Sequence, residues 1–372
     1  DWLGVWCNGQ DFGRATFPYG VTNQENWCSG RFRHAYRLWN MGAGKYRLGV
    51  GIFLGFLAVF SFIPVHLGSG DSVQARDTES VITSVTPGLP SGVEVGILGG
   101  DALFHVQSLN HEVMIPGYEN EPYLKITKDN KVFINDGSTT AFLNGSRYGN
   151  VDLSQFSKTD DPQWRLIATD GNAMWHDHRV HWMSPKPPAA IDAEGTVLEW
   201  KVPFTVDGTG IEVAGTLFLR EKAAVWWWLS GVLMLCLAIL LSIARRRVLF
   251  GVLLAISIAG VVAGALQYFG LPIGARITPL LLMFSGVATL LTTAGLWAGR
   301  KRDAPQHTAL SLHAGAGTAL VICAWLCASQ VRAAYVPGLE PMWIARVLIP
   351  MMLGVGIVAT IDGVSRVVRG TN

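Results

Sequence analysis

Five apolar segments in the second half of the chain constrain its fold more than any other feature. They cover residues 224–244, 248–269, 277–298, 308–329 and 342–362. An α-helix of about 20 residues crosses roughly 30 Å of hydrocarbon, and only a helix satisfies its own backbone polar groups there. The sequence therefore predicts a five-helix transmembrane block over residues 223–364 and a short cytoplasmic tail over residues 365–372.

Positive charge is distributed unevenly between the ends of these segments. The first, third and fifth segments are followed by Arg245–Arg247, by Arg300–Arg302, and by Arg366 and Arg369. The two other connections carry only Arg276 and Arg332. Because Lys and Arg are retained on the cytoplasmic side, we expect a multi-pass protein of the cell membrane. Its C-terminus is then cytoplasmic, and the domain before the first segment is extracytoplasmic.

The N-terminal region has the pattern of an export signal. Residues 41–75 combine a basic start, an apolar run over 48–63 and a small-x-small site at Val73–Ala75, as in a cleaved signal peptide. An uncleaved anchor is the alternative. Residues 1–40 begin with Asp and show no clear period, so we interpret them as an extension upstream of a true start at Met41. A short cytoplasmic tail is the other reading of residues 1–40.

Residues 76–222 have the pattern of a soluble β-domain. Short alternating runs are broken by turn residues, and Thr196–Arg220 forms two period-2 runs about Asp207-Gly208, a typical hairpin signal. This stretch contains no cysteine, so the domain has no disulfide bond and must be stabilised by its hydrophobic core. The pattern predicts an all-β sandwich, immunoglobulin-like or cupredoxin-like, that leads directly into the first transmembrane helix.

The run WHDHRVHWM, residues 175–183, holds three of the nine histidines. A strand here would place His176 and His178 on one face and His181 and Met183 on the other. A shared metal site therefore requires a bulge or further ligands, for which the candidates are His105, His111 and Met174. Imidazole and thioether favour copper, with zinc as the other option, and Asp177 would orient one histidine. The alternative is a solvated face with a salt bridge to Arg179.

Few polar groups enter the transmembrane segments. His313 and Arg346 are candidates for function, although both lie close enough to a segment end to reach the interface. Soft ligands also occur in two segments, at Cys323, Cys327, Met351 and Met352, but ordinary apolar packing is the favoured reading. The net charge of +2 and the absence of a basic run exclude a nucleic-acid-binding protein.

Several motifs together resemble a family of uncharacterised actinobacterial membrane proteins. They are GYENEPYLKI (117–126), LNGSRYG (143–149), QWR (163–165), WHDHRVHWM and WKVPFTVDG…VAGTL (200–217). Asn120 stands where the family pattern has a glycine. The resemblance implies a signal peptide, a β-rich outer domain and C-terminal transmembrane helices. It also implies an association with exported copper-handling proteins of the copper-resistance type.

These observations favour one function over two others. The first is copper handling at the cell envelope, with His176, His178, His181 and Met183 as ligands and exported copper carriers as partners besides the lipid bilayer. The second is a non-catalytic interaction or assembly module anchored by five helices. An enzyme ranks last because no nucleophile, phosphate loop or carboxylate pair is recognisable. The sequence leaves the oligomeric state open.

Overall fold

A computed structural model describes residues 73–300 and 306–370, except 153, 155, 157–160 and 185. The predicted extension over residues 1–40 and nearly all of the predicted signal peptide lie outside the described residues. Val73, in the predicted cleavage site, is buried together with Leu103, Leu271 and Ala275.

The β-domain contains ten strands in two antiparallel sheets. The strands are β1 Thr78–Thr86, β2 Val93–Leu98, β3 Leu103–Ser108, β4 Val113–Pro116, β5 Pro122–Ile126, β6 Val132–Asn135, β7 Trp164–Ala168, β8 Asn172–Trp175, β9 Thr196–Val206 and β10 Thr209–Leu219. One sheet has the order β1-β10-β9-β4-β5-β6-β7, and the other has the order β2-β3-β8. A β-rich domain before the helices is thus confirmed, while the immunoglobulin-like or cupredoxin-like type stays a prediction.

Side chains from both sheets form one hydrophobic core. Phe104 of β3 contacts Trp175 of β8 and Trp200 of β9, with ring centroids 5.2 and 6.2 Å apart. Along β9 the buried residues alternate with more exposed ones, as expected for a strand with one face in a core. The alternating sequence pattern therefore placed the apolar residues correctly.

The predicted hairpin is confirmed in detail. β9 and β10 pair antiparallel and are joined by Asp207 and Gly208, which have φ angles of 47° and 80°. Two consecutive positive φ angles define the turn type that an Asp-Gly pair favours in two-residue hairpins. Asn120 also has a positive φ, 63°, a backbone conformation that Gly and Asn adopt most readily.

Seven α-helices occur in the described part of the chain. The short helix α1, Thr139–Leu143, belongs to the β-domain. The others are α2 Leu229–Ala244, α3 Arg246–Phe269, α4 Leu280–Ala298, α5 Gln306–Leu326, α6 Ser329–Arg332 and α7 Trp343–Arg369. All of these except α6 are long and apolar enough to cross a membrane, α2 together with the preceding turn from Val225. The prediction of five helices that are long and apolar enough to span a membrane is confirmed.

Helix α7 lies at the centre of the bundle and packs against α2, α3 and α5. Glycines allow its close approach to α5, because a Cβ added at Gly317 would lie 2.6 Å from the carbonyl oxygen of Gly356. Small residues at such crossings let helices pack closely in lipid. The helix continues to Arg369, seven residues beyond the predicted end of the last apolar segment at 362.

The β-domain rests on one end of the helix bundle. Arg76 forms a two-way backbone bridge with Tyr335, and the backbone N–H of Ala223 donates to the carbonyl of Arg332 at 2.8 Å. On the bundle side, these contacts come from Tyr335 and Arg332, in the connection between α5 and α7, which has little positive charge. Arg245 follows the last residue of α2, and a helix of that length separates its two ends by about 24 Å. The domain and this arginine cluster therefore lie at opposite ends of the bundle.

Candidate functional site

The histidine run is a strand only at its first residue. β8 ends at Trp175, and residues 176–183 follow it without regular secondary structure around a tight turn at 178–180, in which the N–H of Val180 donates to the carbonyl of Asp177 at 3.0 Å. The whole segment 176–183 is called the histidine turn below. The sequence predicted a strand or a strand end here, and the structure has only the strand end. The turn forms because the buried carboxylate of Asp177 accepts hydrogen bonds from its own neighbours: Trp175 Nε1 at 3.0 Å, and Arg179 N, Nε and Nη2 at 3.0, 2.8 and 2.5 Å.

This network also corrects the expected role of Asp177. Its hydrogen bonds go to Trp175 and Arg179, so the carboxylate holds the turn rather than orienting a histidine. The predicted salt bridge with Arg179 is present, and Asp177 is fully buried in it. A salt bridge on a solvated face therefore does not describe this segment.

The turn brings the three imidazole rings together. The ring centroid of His181 lies 6.2 Å from that of His176 and 5.3 Å from that of His178. Two imidazoles bound to one ion have centroids roughly 5 to 6 Å apart, because metal–nitrogen distances are about 2 Å. A regular strand would place His181 on the face opposite to His176 and His178. The turn removes this separation.

Backbone carbonyls fix the protonation of the two outer rings. Nδ1 of His176 lies 2.6 Å from the carbonyl oxygen of Ala102, and Nε2 of His178 lies 2.9 Å from that of Ser146. A carbonyl oxygen only accepts, so each of these ring nitrogens carries the proton. The opposite nitrogen of each neutral ring then has a lone pair. Metal-binding histidines are commonly held in this way by a carbonyl on the second nitrogen.

His181 is the most unusual member of the cluster. Only 1% of its surface is exposed, and neither ring nitrogen has a hydrogen-bond partner. Burial lowers its pKa to about 2, and the charge of Arg147 lowers it further, so the ring is neutral near pH 7. Leaving a buried polar group without a partner costs about 1 to 3 kcal/mol. A ligand that occupies a ring nitrogen would offset part of this cost.

Met183 borders the cluster on the side of His178. A Cβ added at Gly149 would lie 3.1 Å from Cε of Met183 and 3.2 Å from Cε1 of His178. Gly149 has a φ of 63°, and its lack of a side chain leaves room for both groups. Met183 is 40% exposed, so its thioether lies at the surface end of the cluster.

The other candidate ligands lie elsewhere. His105 on β3 is hydrogen-bonded to Asn172 at 3.0 Å, and His111 is paired with Asp207 at 2.7 Å. Met174 contacts the bundle, since its methyl group would lie 2.7 Å from a Cβ added at Gly274. Within residues 73–300 and 306–370, apart from the gaps given above, no group of three or more His, Cys, Asp or Glu side chains is placed to hold a metal ion, and this holds for the three histidines of the turn as well.

Three motifs of the sequence meet at this turn. The hydroxyl of Tyr118, from GYENEPYLKI, accepts the N–H of His178 at 2.8 Å, and its ring stacks on that imidazole with centroids 5.8 Å apart. Ser146, from LNGSRYG, supplies the carbonyl for His178. Tyr118 and Ser146 therefore position His178, a role that no local pattern indicates because the segments are about 30 and 60 residues apart.

A buried network of ion pairs lies beside His181, and the sequence pattern did not predict it. Asp101 is fully buried and accepts two hydrogen bonds from Arg147 at 2.9 and 3.0 Å and one from Thr78 at 2.8 Å. Arg76 lies 3.5 Å from the same carboxylate. Burial and the nearby charge of Arg147 lower the pKa of Arg76 to about 10. Only the tertiary structure joins these residues, which are single charges in unrelated segments.

His313 and Arg346, the two polar candidates of the apolar segments, each have partners within the bundle. The ring of His313 stacks on Phe250 with centroids 3.5 Å apart, and its Nδ1 bonds the carbonyl of Ala309. Arg346 donates to the carbonyls of Ala333 and Ala334 at 3.0 Å, which fastens the connection before α7. The side chains of Cys323, Cys327 and Met352 are buried.

Two cavities adjoin the site at the end of the domain that faces the bundle. One has a volume of about 480 Å³ and is lined by His176, Met174 and Tyr123 of the domain and by residues 274–276 of the bundle. The other, of about 390 Å³, is lined by Arg76, Arg147 and Trp182 together with residues that precede the first helix. No protein-family model, curated protein or solved structure matches the chain.

Proposed function

We propose that this multi-pass membrane protein binds copper at the histidine turn, on the extracytoplasmic side of the cell membrane. His181 carries the proposal, because both of its nitrogens are buried without partners between two other imidazoles. His176, His178 and Met183 would complete the donor set, and the rings would have to move from their positions in the metal-free fold to reach one ion. Neutral imidazoles and a thioether suit copper best and zinc second.

The protonation state of the cluster supports this proposal. A metal ion binds a deprotonated nitrogen, and the low pKa of His181 keeps that ring unprotonated over the physiological range. Burial also lowers the pKa of His178. No proton therefore has to be displaced from His181 before a metal ion binds near pH 7.

The position of the cluster supports a role in handling copper rather than in catalysis. His176 lines the cavity between the domain and the bundle, and Met174 lines the same cavity. Copper held at the turn would therefore lie beside the membrane block. The histidine turn would either buffer the copper or pass it on to an exported carrier. The proposed orientation follows from the arginine clusters at the opposite end of the bundle.

Copper titration of the full-length protein in detergent tests the metal site. We expect wild type to bind one Cu(I) per chain. His181→Leu should bind Cu(I) more than about 100-fold more weakly, because removing a ligand should cost more than the 10- to 100-fold loss caused by removing a hydrogen-bond partner of a ligand. His111→Gln is the matched control, since that histidine lies outside the cluster. Equal affinity of His181→Leu and wild type would end the proposal and leave an anchored interaction module.

Cysteine labelling tests the orientation separately. A membrane-impermeant maleimide should label Lys131→Cys in intact cells, because Lys131 is an exposed residue of the β-domain. It should label Arg369→Cys, at the other end of the bundle, only after lysis. The reverse pattern would place the β-domain in the cytoplasm.

A further inference from the structure

The cavity of about 390 Å³, here called the basic cleft, is rich in cations. Its described lining includes Arg76, Arg147, Lys186, Arg220 and Lys222, and the only acidic residue among the lining residues is Asp77. Such a concentration of one sign of charge in a concave site attracts counter-ions.

Four of the five cations that line the basic cleft contact carboxylates of the described chain. Asp101 is shared between Arg76 and Arg147, Glu79 pairs with Arg220 at 2.7 Å, and Asp77 lies 3.4 Å from Lys222. Among the described residues, no ion pair joins Lys186 to a carboxylate. Repulsion between Arg76 and Arg147 contributes to the low pKa of Arg76, which an anion in the cleft would relieve.

The walls of the basic cleft are held in place by the fold. Arg147 is 2% exposed and fixed by two hydrogen bonds to Asp101. Trp182 donates its indole N–H to the carbonyl of Lys186 at 2.6 Å, which holds the segment that carries this lysine. The cleft therefore presents a preformed set of cations, with Trp182 and Leu219 as apolar wall.

The basic cleft lies at the membrane surface. Lys222 is three residues before Val225, where the first candidate span begins, so at most about 11 Å of chain separates them. The headgroup layer of one leaflet is roughly 5 to 8 Å thick. A phosphate in this layer is therefore within reach of the Lys222 side chain, which lines the basic cleft together with the other four cations.

We infer that the basic cleft binds the phosphate group of an anionic phospholipid from the leaflet on the β-domain side. The cations bind the phosphate, and the apolar wall contacts the adjoining glycerol. The basic cleft adjoins the histidine turn through Trp182, but its cations are not among the proposed copper ligands. Lipid binding is tested in metal-free protein, so its failure and the failure of the copper proposal are distinguishable.

Lipid binding to the full-length protein, delipidated in an uncharged detergent, tests the inference by native mass spectrometry. We expect phosphatidylglycerol to bind in preference to phosphatidylcholine. Lys186→Ala and Lys222→Ala should each weaken phosphatidylglycerol binding about fivefold, the effect of one cation near an anionic surface. Lys201→Ala is the matched control, because that lysine is exposed and paired with Glu212 on β10; it should leave binding unchanged.

Two results would overturn the inference. One is equal binding of phosphatidylglycerol by wild type, Lys186→Ala and Lys222→Ala. The other comes from a parallel titration with inorganic phosphate. Phosphate binding that depends on both lysines, without any lipid preference, would assign the cleft to a soluble anion instead.

Discussion

Two histidines at opposite ends of the β-domain differ in burial, in hydrogen bonding and in pKa. His111 lies near the β9–β10 hairpin, about 36 Å along β10 from the bundle, and is paired with Asp207 at 2.7 Å and with the carbonyl of Ser91 at 3.0 Å. His181 lies at the end that faces the bundle, buried and with neither ring nitrogen bonded. The hydrogen bond to Asp207 raises the pKa of His111, whereas burial lowers that of His181 to about 2.

The same contrast holds for two arginine–aspartate pairs. Asp136 pairs with Arg165 through two hydrogen bonds at the exposed edge of a sheet. Asp101 pairs with Arg147 through two hydrogen bonds in the interior. Polar groups at the distal end and edge are thus solvated and paired, while those next to the bundle are buried. Burying these polar groups next to the bundle costs free energy of folding. We therefore place the proposed functional site at this end of the domain.

The largest effect should come from the buried pair. Asp101→Asn leaves the charge of Arg147 buried without its carboxylate and should lower the free energy of unfolding by about 3 to 5 kcal/mol. Asp136→Asn, the matched exposed pair, should cost about 1 kcal/mol or less. Denaturant unfolding of the full-length protein in detergent gives both values. Similar losses for the two variants would remove the distinction between the two regions.

Acid should destabilise the protein through His181. Below the ordinary pKa of 6.5 the unfolded chain binds a proton that the folded chain, with a pKa of about 2, does not bind. Stability is therefore lost as the pH falls from 6.5 towards 2, by about 2 kcal/mol at pH 5 for this one group. The lowered pKa of His178 adds in the same direction.

Unfolding at pH 7 and pH 5, in metal-free wild type and in His181→Leu, measures this contribution. The variant should keep most of the stability that wild type loses between these two values. An equal loss in both proteins would show that His181 is not the group responsible.

A smaller gain is expected at pH 7 itself. His181→Leu removes a buried polar ring without partners, so the metal-free variant should be more stable than wild type by about 1 kcal/mol. The same variant loses copper binding under the proposed function. A destabilised metal-free variant would mean that the imidazole has partners that contribute to stability.

The smallest effect should come from the distal histidine. The raised pKa of His111 contributes stability at low pH that is lost as the pH rises through its folded pKa, opposite to His181. His111→Gln should therefore make the acid loss between pH 7 and pH 5 slightly steeper. Because this side chain is at the surface, the change should be the least of the series. A shallower loss would contradict the assigned sign.

Local sequence patterns predicted the structure reliably where it depends on interactions within a single helix or hairpin. The five apolar segments, the Asp207-Gly208 hairpin and the direct passage from β10 into the first helix are all present. The histidine run was predicted less well. Its period-2 pattern indicated a strand, but the hydrogen bonds of Asp177 to Trp175 and Arg179 outweighed that pattern and formed a turn.

The candidate site was predicted in part. The sequence indicated His176, His178, His181 and Met183, but it did not indicate Tyr118, Ser146, Arg147 or Asp101. Their roles depend on loops from separate strands that meet beside the turn. A lone arginine or aspartate carries no local signal of the partner that it will have after folding.

The sequence by itself determined which segments form helices long and apolar enough to cross a membrane and where the β-rich domain lies, because hydrophobic length and periodicity act within a single element. Only the tertiary structure decided where the imidazoles point, which carboxylate is buried and which cations line the basic cleft. The physical reason is that hydrogen bonds and ion pairs act over a few ångströms. Which residues come that close is settled when the two sheets and the helix bundle pack together.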